Sequence, residues 1–129
     1  LTQENLPMAL PELHPLTEMQ VTCHTASVGS TPIAAHARAP FRGKILKTFS
    51  ILGGVISAAD AAIATAINGT AITGGDLVIA NSGSAAGDFD SAVPTGANDV
   101  NEDDVISFTP SAATGTAIPC QFGAVIRRT

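Results

Sequence analysis

Ala61-Ala62-Ile63-Ala64-Thr65-Ala66-Ile67-Asn68-Gly69-Thr70-Ala71-Ile72-Thr73 is the stretch on which the fold turns. Two readings compete for it. Ser57-Ala58-Ala59-Asp60 resembles a capping box, the Ala-rich run after it suits a helix, and Asn68-Gly69 could end one. Alternatively, Ala61, Ile63, Thr65 and Ile67 form one face of a strand. Asn68-Gly69 is then a two-residue type I′ turn into a second strand, Thr70 to Thr73, because both positions of that turn need positive φ. Ala favours helix, whereas Ile and Thr favour strand, so propensity alone does not choose. The neighbouring segments favour the hairpin.

On either side lie short runs rich in β-branched residues and separated by turn signals. Met19 to His24 alternates with period two, as a half-buried strand does. Ile33 to Ala39 is a second candidate, and Lys44 to Leu52, stopped by Gly53-Gly54, is a third. Asp76 to Ala80 runs into the turn-rich Asn81-Ser82-Gly83-Ser84. Asp104 to Thr109 stops at Pro110, and Cys120 to Arg127 closes the chain. A short helix at Ser84-Ala85-Ala86 would be compatible with this pattern. Strands at roughly ten-residue spacing with Gly, Pro or Asn between them predict a sandwich or barrel.

The first sixteen residues read differently. Pro7, Pro11 and Pro15 recur every four residues, with Leu6, Leu10, Leu13 and Leu16 between them. Proline removes backbone donors and restricts its predecessor, so neither a long helix nor a central strand fits. An extended terminus does fit, either loose or laid by its leucines into a groove on a neighbouring subunit. The regular apolar spacing favours the groove. The domain reading is therefore an extended N-terminal arm over 1–17 and a β-domain over 18–129.

Composition narrows the class. Of 129 residues, 45% are hydrophobic and 13% charged, against a usual charged share of about 25%. A disordered chain or a coiled coil would carry far more charge. The mean hydropathy of +0.31 comes without an apolar run of membrane-spanning length, so no membrane partner is expected. A soluble protein of this composition is expected to hide much of its surface in other protein. Six Lys plus Arg against eleven Asp plus Glu give a net charge of −5, which argues against nucleic acid. Leu1-Thr2-Gln3-Glu4-Asn5 lacks a basic segment followed by an apolar one, so no secretion signal is expected. Cys23 and Cys120 lie far apart in sequence. A reduced pair is the default, and a bridge joining the two ends of a sandwich is the alternative.

Chemistry-bearing patterns are sparse. Asp99-Val100-Asn101-Glu102-Asp103-Asp104 begins like a calcium loop, but its sixth position is Asp104, not Gly, and its twelfth is Pro110. A solvated turn before a strand is the better account, with a looser cation site shared with Asp88 and Asp90 as the alternative. His14, His24 and His36 have no zinc-ligand spacing, and His24 points opposite to Cys23 if the two share a strand. No nucleophile elbow, P-loop or dinucleotide fingerprint is present. No enzyme activity, cofactor, metal or small-molecule substrate is expected. Arg38, Arg42, Lys44 and Lys47 fall within ten residues, either as mixed surface charge or as a basic end that docks on an acidic partner. Without Trp or Tyr, the aromatic platform common in sugar sites has few candidates.

Several segments carry a family likeness. They are Phe41-Arg42-Gly43-Lys44-Ile45 with Ser50-Ile51-Leu52-Gly53-Gly54, Ile67-Asn68-Gly69-Thr70-Ala71-Ile72-Thr73-Gly74-Gly75, and Ile79 to Asp88. Asn101 to Ile106 and Phe122 to Arg127 complete the set. From Ala39 to Arg127 the chain resembles the small head decoration, or capsid cement, proteins of tailed bacteriophages. These motifs are turn and strand punctuation and specify a fold better than a task. The resemblance implies an all-β, compact antiparallel jelly-roll that forms a homotrimer on the outside of a phage head and clamps the major capsid protein. It also implies a location on the outer surface of the virion, with assembly in the host cytoplasm. Leu6, Leu10, Leu13, Leu16, Arg38, Arg42, Lys44 and Lys47 are the candidate contacts with the shell or with sister subunits. A head-fibre or receptor- or glycan-binding module on the same fold is the alternative.

Overall fold

A computed structural model describes residues 17–111 and 116–129. Ten strands follow one another with no helix among the described residues: β1 (Glu18–Thr25), β2 (Ala35–Arg38), β3 (Gly43–Leu52), β4 (Ala61–Ile67) and β5 (Thr70–Ala71), then β6 (Leu77–Ile79), β7 (Phe89–Ala92), β8 (Asp99–Val100), β9 (Val105–Pro110) and β10 (Cys120–Arg128). Every pairing is antiparallel. The first sheet runs β1-β10-β3-β7 with β8 also on β3, and the second runs β2-β9-β4-β5 with β6 also on β4. With β5 and β6 counted as one broken strand, and β7 and β8 as another, this is the eight-strand order of a jelly-roll sandwich.

The disputed stretch is a hairpin. Ile67 pairs with Thr70, and Asn68 and Gly69 have φ of 49° and 87°, the left-handed pair that a type I′ turn demands. The β4 residues Ala61, Ile63, Thr65 and Ile67 are buried while Ala62 and Ala64 are exposed. Tertiary burial of alternate positions thus decides against the helix that Ala would favour. Ser84-Ala85-Ala86 is not helical and lies between turns at Ser82-Gly83 and Ala86-Gly87; the Ser84 hydroxyl accepts from Ile56 N–H at 3.0 Å and donates to Ile56 O at 2.9 Å. Pro110, expected just beyond a strand, is the last residue of β9 and pairs with Ile63.

The core lies between the sheets and is filled by Ile45, Leu52, Ile56, Ile63, Leu77, Ile79, Ile106 and Ile126. Phe108 from the second sheet and Phe122 from the first stack at its centre, with ring centroids 5.2 Å apart. One irregularity shapes the first sheet. Ile126 pairs with Ile45 and Val125 with Lys47, so Leu46 is an extra residue, a β-bulge. Ile45 points inward before it, and Thr48, Ser50 and Leu52 point inward after it. Phe49 and Ile51 are thereby sent to the outer face.

Cys23 and Cys120 are both free. They sit on neighbouring strands, since Cys120 pairs with Thr25 and Cys23 with Phe122. The idea of a bridge joining the two ends of the sandwich is therefore corrected. The cysteines are diagonal neighbours on one inner face, and diagonal Cβ atoms lie farther apart than the ~4 Å a disulfide needs.

Candidate functional site

The outer face of the first sheet is built in rows by its register. At one end Glu18, Arg127, Lys44 and Asp99 lie side by side across β1, β10, β3 and β8. They form two ion pairs, Arg127 Nη2 to Glu18 Oε2 at 2.8 Å and Lys44 Nζ to Asp99 Oδ1 at 2.9 Å. The next row holds Gln20, Val125 and Lys47, and the one after it Thr22, Gly123, Phe49 and Ser91. The last holds His24, Gln121, Ile51 and Phe89.

Phe49 is the unusual member. It points away from the core yet is only 4% exposed, because its ring lies over Gly123. A Cβ on Gly123 would stand 2.2 Å from Phe49 Cζ. Phe89 stacks beside it at 5.8 Å between centroids and stays 56% exposed. Next to Phe89 a shallow hollow of about 240 Å³ is lined by His24, Ile51, Leu52, Gly53, Pro119, Cys120 and Gln121.

The four basic candidates are spread over the two sheets and the crossover between them. Arg38 is on β2 in the second sheet and pairs with Asp103. Arg42 lies in the crossover between the sheets, its Nη2 donating to Thr129 O at 3.5 Å. Lys44 and Lys47 are on β3, and Lys44 is paired with Asp99. The chain passes from one sheet to the other at Ala39-Pro40-Phe41, which separates residues that are near in sequence. Arg127 and Arg128 come from the far end of the chain to join Lys44, and Arg128 covers the Phe41 ring at 4.2 Å. Leu6, Leu10, Leu13 and Leu16 lie outside the described residues.

The acidic turn is structural in its contacts. Asp104 accepts from Asn101 N–H at 2.8 Å and from Asn68 Nδ2 at 2.9 Å. Asp103 holds Arg38, Asp99 holds Lys44, and Asp88 accepts from Ala85 N–H. These four acids thus each have a partner of their own. Among the described residues no group of three or more His, Cys, Asp or Glu is placed to hold a metal ion. His24 and His36 both point outward, and His24 faces opposite to Cys23, as alternation requires. Burial pushes the Cys23 thiol up to about 11 and the Cys120 thiol to about 12, which leaves both as thiols near neutral pH.

A buried hydroxyl facing a half-buried carboxyl escaped the sequence reading. The Ser50 hydroxyl is buried with no hydrogen-bond partner, directly opposite Asp90 on β7. Desolvation, and then the neighbouring Asp88 charge, hold the Asp90 carboxyl above its ordinary range.

No protein-family model matches the chain, and no curated protein sequence does either. Solved structures do resemble it. A chain of the cyanophage Pam1 capsid asymmetric unit superposes with a TM-score of 0.54 at 11% identity, over 95% of this chain and 94% of that one. A chain of the acidic stable capsid of Helicobacter pylori bacteriophage KHP30 gives 0.54 at 8% identity, over 86% and 87%. The carbohydrate-binding module CsCBM6-3 from Clostridium stercorarium, solved with cellobiose, gives 0.47 at 12% identity over 78% and 70%. At these identities the likeness is one of fold: the chain is an all-β sandwich of a form also present in phage capsids.

Proposed function

We propose that this chain is a structural protein of a phage virion: a decoration, or cement, protein on the outer surface of the head, bound as a homotrimer to the major capsid protein. The observation that carries the reading is the near end-to-end superposition on a phage capsid chain, over 95% and 94% of the two lengths. The likeness of Ala39 to Arg127 to decoration proteins supports the finer assignment. The role is non-catalytic. Binding that bridges neighbouring shell subunits, and is absent from free ones, stabilises the shell by linkage. Three linked sites multiply a modest affinity for each.

Residues 1–16 and the basic residues Arg38, Arg42, Lys44 and Lys47 are the proposed contacts with shell or sister subunits. The test is co-sedimentation with heads that lack the protein, followed by heat challenge of the loaded heads. Full-length protein should pellet with the heads and raise their resistance. Deleting residues 1–16 should abolish the gain, and replacing the four basic residues with Ser should weaken binding most at low salt. Full binding by the deletion variant would sink the role of the arm, and no change at low salt would sink the charge contribution. Failure of the full-length protein to pellet would overturn the decoration role itself.

A further inference from the structure

We propose that the open edge of β1 receives residues 6–16 of a second copy of this chain as an added antiparallel strand. β1 ends the first sheet, hydrogen-bonded to β10 on one side and to no strand on the other among the described residues, with β2 of the second sheet close by. Arg128 N–H donates to Thr17 O at 2.6 Å, in register with the Glu18–Arg127 pair. Antiparallel alternation then directs the main-chain groups of Met19, Val21, Cys23 and Thr25 at β10. Those of Glu18, Gln20, Thr22 and His24 point out of the sheet edge.

This edge carries little of the usual protection beyond the charge of Glu18 at one end. Glu-Met-Gln-Val-Thr-Cys-His-Thr contains no Lys or Pro, and its pairing with β10 runs without a bulge. Sheet edges are normally blunted by such devices or covered. The inner-face side chains at this edge are also incompletely sealed: Met19 is 43% exposed, and Val21 and Cys23 are only partly buried against the core.

The sequence of residues 6–16 matches that edge in two ways. Pro7, Pro11 and Pro15 all occupy odd positions, so in an extended strand their missing donors all face the same side. Proline is tolerated in an edge strand when that side is turned to solvent. Leu6, Met8, Leu10, Glu12, His14 and Leu16 then present intact N–H groups to β1. When these even positions pair with the even positions of β1, the odd side chains fall on the inner side. These are Pro7, Ala9, Pro11, Leu13 and Pro15, all apolar, and they would cover Met19 and Val21. Eleven extended residues reach about 36 Å, enough for the eight of β1. A second copy supplies the strand because Thr17 still runs along β1 in register with Arg128. The chain has not turned back on itself there.

The inference rests on the reading above that copies of the chain associate, and its test uses no capsid, so the two can fail separately. Amide hydrogen exchange and native mass are measured on the full chain and on two proline variants. At concentrations where the chain assembles, the Gln20, Thr22 and His24 amides should exchange at least roughly tenfold more slowly than after dilution to monomer. Ala9→Pro adds a proline on the solvent side and should retain that protection. Leu10→Pro removes a donor aimed at β1 and should lose it. Equal behaviour of the two variants would overturn the proposal, as would protection that is absent at every concentration. Protection that persists in the diluted monomer would also overturn it, because the strand would then come from the same copy.

Discussion

Gly123→Ala tests the outward placement of Phe49. The new Cβ would lie 2.2 Å from Phe49 Cζ and 2.6 Å from Cε2, well inside contact distance, so the ring must leave its seat. Phe49 is 4% exposed where it lies. Losing most of that burial costs about 1.5–3 kcal/mol, and losing the stack on Phe89 costs about 0.5–1.5 kcal/mol more. Replacing glycine in a strand returns about 0.5–1 kcal/mol. The net expectation is a loss of about 2 kcal/mol, read as a lower urea midpoint at unchanged slope. Because the chain has neither Trp nor Tyr, unfolding is followed by far-ultraviolet circular dichroism, at fixed protein concentration so that association does not shift the midpoint. The decisive arm is the double-mutant cycle. In a Phe49→Ala background the same Gly123→Ala change should be neutral or slightly stabilising, since nothing remains to clash. An equal cost in both backgrounds would refute the placement of the Phe49 ring over Gly123.

Ser50→Ala should raise stability by about 1 kcal/mol, because it deletes a buried hydroxyl that has no partner; a lower urea midpoint would mean that the hydroxyl is bonded after all. Asp90 titrates above its ordinary value, so the folded chain takes up this proton before the unfolded chain does. Its favourable contribution is complete below pH 3.8, the ordinary value, and is lost as pH rises through the raised one. Asp90→Asn should therefore gain stability over the wild type as pH goes from 3 to 7, and a gap that stays flat across that range would contradict the assignment. With Cys23 and Cys120 pushed up to about 11 and about 12, alkylation at pH 8 should be slow in the folded chain and fast in urea, a contrast that mass spectrometry reads directly.

The fold was legible where local chemistry and burial agree. Asn68-Gly69 has one strong meaning between two alternating runs, and the positive φ at both residues bears it out. β7 and β8 escaped because Phe89-Asp90-Ser91-Ala92 has no β-branched residue and Asp99-Val100 is only a pair; both are specified by the β3 edge they join. The bulge at Leu46 was also hidden. Simple alternation from Ile45 would turn Lys47, Phe49 and Ile51 inward, and the extra residue instead keeps Lys47 in solvent. The price is Phe49 outside and Ser50 inside, so the most informative surface feature and the orphaned Ser50 hydroxyl share a cause. That the basic quartet is divided between two sheets was not legible, because sequence distance ignores the crossover at Pro40.

Where the few charges sit bears on the proposed role. Glu18, Arg127, Lys44 and Asp99 occupy one end row of the first sheet, and Arg38 with Asp103 lies at one end of β2. The centre of the first face holds Thr22, Gly123, Phe49 and Ser91, and the outward positions of β4 and β9 are Ala62, Ala64, Ser107 and Thr109. A low charged fraction could have meant an oversized core, but here it leaves the middle of the second outer face uncharged and Lys47 as the single charge in the row beside Phe49 on the first. Desolvating such a face costs little, whereas each charge buried without a partner costs several kcal/mol, on the order that opposes association. The paired charges at the ends then act on orientation more than on strength. A protein that works by lying against other subunits needs that distribution, which is why the composition and the register support the same reading.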